Sequence, residues 1–145
     1  MDPRDFHRLA SHLVRSSSAA EIRTAINRAY YATYHIGSEV LREMGFQIST
    51  GPQGHGDVRN RLSNSGAPEV MRVGSQLGDL QGRRIQADYR LDTLEIENPK
   101  TARALVEQAA RMIQTLERCC KGLQRPQIIA AIKAWERKIG AKPST

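Results

Sequence analysis

Three residues of this chain combine side-chain type and spacing in a way that suits chemistry: Arg28, Tyr31 and His35. A guanidinium can hold a phosphate through two parallel hydrogen bonds, and an imidazole with an unperturbed pKa of about 6.5 exchanges protons near neutral pH. A phenol can donate to a phosphate oxygen. Tyr31 follows Arg28 by three positions and precedes His35 by four, so on an α-helix the trio lines one face across two turns. Glu39, one turn further on, can orient the imidazole. Such a stripe suits contact with a phosphate or with another protein. Its limit is reach. Seven residues span about 10.5 Å of helix rise, so Arg28 and His35 of one chain need not meet the same phosphate, and a two-fold dimer would bring the missing partner into range.

The stripe needs a helix to carry it, and Glu21 to Met44 reads as the longest one. Ile22, Ala25, Ile26, Ala29, Thr33, Ile36, Val40 and Met44 share one apolar arc, opposite Arg28, Tyr31, His35, Glu39 and Arg42. Ser18 with Glu21 has capping-box spacing, and Gly45 is placed to end the helix. Before it, Asp2-Pro3 starts a first helix that runs to about Arg15, with Phe6, Leu9, Ala10, Leu13 and Val14 at helical spacing. After it, Phe46 to Gly56 is rich in Gly, Pro and Ser and reads as an exposed loop carrying His55.

Asp57 then caps a short helix that closes around Asn64 to Gly66. Pro68 opens another to Ala87, whose glycines at 74, 78 and 82 permit close helix contact. A turn of about ten residues from Asp88 leads to Asn98-Pro99, the start of a helix to about Lys121. Ile128, Ile129, Ile132, Trp135 and Ile139 mark a last helix before Gly140, read as an appendage packed on the bundle or on a partner, with Trp135 a core or helix-packing residue and an interface anchor as its alternative. No stretch alternates with period two, so the fold class is all-α: one domain over residues 1–140 and a frayed tail over 141–145.

Composition bounds the function classes. The chain is 39% hydrophobic and 26% charged, and no run of about 18 apolar residues crosses a bilayer. Its start lacks the apolar core of a signal peptide, which makes the cytoplasm the expected compartment. Cys119 and Cys120 are adjacent, which fits neither a disulfide framework nor a zinc site and implies reduced thiols. His7 and His12 are five apart, outside the i, i+4 spacing of a helical metal pair. No metal and no cofactor is expected. The net charge of +7 favours an anionic partner such as RNA.

Two segments together, INRAYYATYH at 26–35 and RRIQADYRLD at 83–92, resemble the HEPN domain family (higher eukaryote and prokaryote nucleotide-binding). The similar branch has Ser or Asn before RAYYA on a long helix and an arginine three residues before ADY. His55, followed after two residues by Val58, also resembles that branch's histidine. The resemblance spans roughly residues 21–92. It implies an up-and-down bundle of four to five helices with a C-terminal helix beyond, frequently a homodimer. Such domains occur in toxin–antitoxin pairs with a small nucleotidyltransferase and in antiviral defence.

It also implies a metal-independent ribonuclease, because Arg28-x6-His35 fits the family's Arg-x(4 to 6)-His formula, although Ala29 stands where active members often carry a polar residue. In that chemistry a ribose 2′-OH attacks the adjacent phosphate, with His35 exchanging the proton and Arg28 offsetting developing charge. Tyr31 completes the catalytic set. Glu39, Arg84, Asp88, Tyr89 and His55 stand as supporting or structural residues. The alternative for Arg28 is a structural ion pair with Asp88. Arg84 and Asp88 have helix-pair spacing, and Tyr89 reads as packed and hydrogen-bonded. The second function is a non-catalytic HEPN module that binds RNA, a nucleotide or a partner enzyme.

Overall fold

Each helix begins and ends where the local chemistry stops the backbone ladder. The computed structural model of the chain describes residues 1–140. Helix α1 (Arg4–Leu13) starts after Asp2, whose carboxylate accepts from the Arg4 amide at 2.9 Å. Helix α2 (Ala19–Glu43) starts after Ser18, whose hydroxyl faces the Glu21 amide at 3.4 Å, and stops at Gly45, where φ is +96°. Then come α3 (Gln53–Ser63), α4 (Pro68–Tyr89), a 3-10 turn (Leu94–Glu97), α5 (Pro99–Cys120) and α6 (Arg125–Ile139), which ends on Gly140 at φ +70°. The fold is an all-α helical bundle with no strand among the described residues. The tail at 141–145 lies outside the described residues.

The helices sort into two compact units. The first takes residues 1–35 and 77–112, hence α1, most of α2, the end of α4 and the start of α5. Its core holds Ala10, Ile22, Ile26, Tyr30, Leu80, Ile96, Val106 and Met112. His7 ties α1 to α5, its Nε2 lying 2.9 Å from the Val106 carbonyl. Arg23 is buried on α2 and collects the far end of α4. It donates to the carbonyls of Gln86, Ala87, Arg90, Leu91 and Thr93 at 3.0 to 3.3 Å and pairs with Glu97 at 2.7 Å. A helix end leaves carbonyls without intrahelical donors, and one buried cation here supplies them.

The second unit takes residues 36–76 and, among the described residues, 113–140. Val40, Leu41, Phe46, Val58, Leu62, Val73, Leu116, Ile128 and Ile132 fill its core. Gly37 lets α2 and α3 approach so closely that a Cβ there would meet Val58 Cγ1 at 2.9 Å. Gly74 does the same between α4 and α3, where a Cβ would lie 2.7 Å from the Ser63 backbone nitrogen. The final helix is bound into this unit by a buried ion pair, Arg61 to Glu136 at 3.1 Å, with Arg61 also 5.7 Å from the Trp135 ring centre.

The segment at 46–56 departs from the exposed loop expected of it. Phe46 and Ile48 are buried, and α3 begins at Gln53, so His55 is helical and half-buried. Pro52 already has helical backbone angles and is suited to precede a first turn. Asp57 therefore lies inside α3, and its carboxylate caps the Ser49 amide at 2.9 Å instead of a helix start.

Candidate functional site

The residues read as chemical from sequence gather in the first unit around two aromatic rings. Arg28 is half-buried on α2, its guanidinium carbon 4.5 Å from the centre of the Phe6 ring and 5.5 Å from that of Tyr31. His35 is exposed, and its ring centre is 6.1 Å from each of those same two rings. Tyr34 adds an edge contact to His35 at 5.2 Å. Arginine and histidine thus share an aromatic floor, although two helical turns separate them. Phe6 comes from α1, so α1 is part of the site.

From α4, Arg84 reaches the same cluster. It is buried, with its guanidinium carbon 5.4 Å from the Tyr30 ring centre and 5.5 Å from that of Tyr31. Two guanidinium groups therefore address Tyr31. Each such contact stabilises by about 0.5–2 kcal/mol, the larger figure applying where water is excluded. Arg84 meets Asp88 at 3.5 Å, and its Nε is buried without a hydrogen-bond partner.

Asn27 joins the two sides. Its side-chain oxygen accepts from Arg28 Nε at 2.7 Å and also from Arg28 Nη2, while its nitrogen donates to Asp88 at 2.9 Å. Asp88 thus takes Arg84 and Asn27, and the direct Arg28–Asp88 ion pair considered from sequence is replaced by an amide relay. An amide does this because it carries an acceptor for the guanidinium and a donor for the carboxylate. Arg28 Nη1 is left without an acceptor among the described residues.

The remaining sequence candidates lie elsewhere. Tyr89, expected to be packed and hydrogen-bonded, is 72% exposed. The helix explains this: Arg84 and Ala87 define the buried side of the last turns of α4, whereas Ile85 and Tyr89, four apart, face solvent. Glu39 is exposed and belongs to the second unit, as does half-buried His55. No three His, Cys, Asp or Glu side chains among the described residues form a group that could hold a metal ion. A cavity of about 510 Å³ opens in the second unit between Ser65, Pro68, Leu123, Gln127, Ile128 and Ala131. It is lined by no titratable side chain, so it offers no acid or base.

Sequence reading missed Asn27 and Phe6 as site residues. Asn27 adjoins Arg28 within the motif, and an amide beside a half-buried arginine is the available signal. Phe6 carried none beyond its place on an apolar face.

No family model, curated protein or solved structure matches this chain. The site is therefore read from its own geometry. It offers a cation with a directed donor, an exposed imidazole and a tyrosine flanked by two guanidinium groups. That set can bind an anion and move a proton.

Proposed function

We propose that this chain is a HEPN-type, metal-independent ribonuclease or toxin subunit. It would act on RNA in a toxin–antitoxin pair or an antiviral defence system, in the cytoplasm, with a nucleotidyltransferase or another defence protein as its partner. The observation that carries the reading is the shared Phe6–Tyr31 floor beneath Arg28 and His35, which brings the arginine–histidine pair to one patch. Arg28 Nη1 would hold the scissile phosphate, Tyr31 would support it, and His35 would exchange the proton of the attacking 2′-OH. A homodimer contact along the polar side of α2 would add a second arginine or histidine to each site.

One observation favours a second reading, a non-catalytic module that binds RNA, a nucleotide or a partner enzyme. Asn27 and Phe6 hold the Arg28 guanidinium as a structural group would be held. Digestion of RNA in EDTA separates the two. Active protein leaves 2′,3′-cyclic phosphate ends, His35→Ala lowers cleavage by about 10²- to 10⁴-fold with the fold intact, and Arg28→Ala lowers both cleavage and phosphate affinity. Wild type that cleaves no RNA with its partners present, or His35→Ala that cleaves at the wild-type rate, transfers the assignment to the binding module.

A further inference from the structure

Two arginines of α2 spend their hydrogen-bond donors differently. Arg23 uses every nitrogen: Nε donates to Glu97 at 2.8 Å, Nη1 to the carbonyls of Gln86, Ala87 and Arg90, and Nη2 to those of Leu91 and Thr93. Arg28 uses one edge. Its Nε and Nη2 both donate to Asn27 Oδ1, the first at 2.7 Å, and no other acceptor meets its guanidinium among the described residues. A guanidinium carries five N–H groups in one rigid plane, and they fall into two forks. The side fork joins Nε to the nearer Nη nitrogen, which here is Nη2, because a single oxygen accepts from both. The end fork joins the two Nη nitrogens, each with a hydrogen that points away from the side-chain stem. Asn27 fills the first fork and leaves the second open.

The group that fills the side fork is itself held. The Asn27 side-chain nitrogen donates to Asp88 of α4 at 2.9 Å, which anchors the amide and leaves its oxygen turned toward Arg28. Phe6 covers a face of the same guanidinium, its ring centre 4.5 Å from the central carbon. Edge and face are thus both restrained. An open end fork matches two oxygens of one phosphate through parallel hydrogen bonds. A mobile arginine must first be ordered to offer that match, whereas here the ordering precedes the ligand.

We propose that Asn27 is a positioning residue, which by occupying the side fork of Arg28 aims the end fork at two oxygens of a phosphodiester. That role rests on the reading of Arg28 as the group that holds the scissile phosphate. Heteronuclear NMR of the arginine Nε–Hε groups of the full chain tests it, with inorganic phosphate as the probe and Arg28 assigned by the signal missing from Arg28→Lys. In wild type the Arg28 signal is sharp, exchanges slowly with water and moves as phosphate is added. Asn27→Ala, with an unchanged circular dichroism spectrum and melting temperature, loses that signal and binds phosphate about 3- to 10-fold more weakly, the ordering cost of one long side chain. Asn27→Asp keeps an acceptor at the same place and keeps the signal. An Asn27→Ala protein that matches wild type in either respect overturns the proposal, as does a wild-type Arg28 signal that ignores phosphate. Loss of the signal in Asn27→Asp overturns it too, since the acceptor is then not what orders the arginine. Phosphate binding of the expected kind without RNA cleavage leaves Asn27 in its role and removes the ribonuclease reading alone.

Discussion

A buried guanidinium keeps its charge throughout the physiological range, so the chain must bring acceptors to it, and Arg23, Arg61 and Arg84 receive them unequally. Arg23 is matched with five carbonyls and a carboxylate, whereas Arg61 and Arg84 each keep a buried Nε without a partner. Inside the second unit the buried thiol of Cys120 does respond to pH. Burial, with Cys119 adjoining, pushes its thiol up to about 12 from an ordinary 9.0. The folded chain thus keeps a proton that the unfolded chain releases. The stabilisation is complete below pH 9 and is lost as pH rises from 9 towards 12, by up to about 1.4 kcal/mol per pH unit. Denaturant melts at pH 9.5 and 11 measure this slope, and in Cys120→Ala it is shallower by about that amount. At pH 8 the same thiol reacts slowly with a water-soluble disulfide reagent until the chain is unfolded.

At the scale of elements, two glycines of α4 make opposite predictions from identical sequence logic. Gly74 faces the Ser63 backbone so closely that an added methyl must push α3 away, whereas a Cβ at Gly82 meets nothing within 4 Å. Gly82→Ala gains about 0.5–1 kcal/mol from helix propensity, and Gly74→Ala loses about 1–3 kcal/mol to overpacking. Urea unfolding of the two variants under one condition gives both signs. Residue spacing alone listed both glycines as places for close contact, because periodicity shows which side of a helix is apolar and says nothing of what approaches it.

The same limit explains the rest. The arc of α2 was legible because Ile22, Ile26, Ala29, Thr33, Ile36 and Val40 obey one helical period, and all are buried. Helix starts at Pro68 and Pro99 were legible from proline chemistry. The start of α3 was not, since Gly and Pro between 51 and 56 signal irregular backbone equally well. Within the candidate site, Arg28 and His35 could be put on one face from spacing, but Asn27 and Phe6 meet them through side-chain direction and through packing of α1, which no local pattern encodes.

For the molecule as a whole, the +7 balance sets how any RNA complex behaves. Phosphates neutralised by arginine release counterions, so the logarithm of the binding constant falls against that of salt by about 0.7 per single-strand phosphate contacted. Filter binding or fluorescence anisotropy from 50 to 300 mM salt gives the count, and Arg28→Ala lowers the slope by about one contact. A flat salt response would remove the electrostatic basis for RNA as partner. No helix among the described residues is long and apolar enough to cross a membrane.

The Arg23 clamp has a consequence for the order in which the first unit is assembled. Its contacts join residues 63 to 74 positions apart, so although the Thr93 amide donates locally to the Arg90 carbonyl at 3.0 Å, full locking of the curl at 90–94 does not come from nearby sequence. It waits for α2 to reach the end of α4. Until then the carbonyls of Arg90, Leu91 and Thr93 lack the guanidinium that gathers them. The clamp therefore works as a proof of completion: it is fastened only once α2 and the end of α4 have met within the first unit.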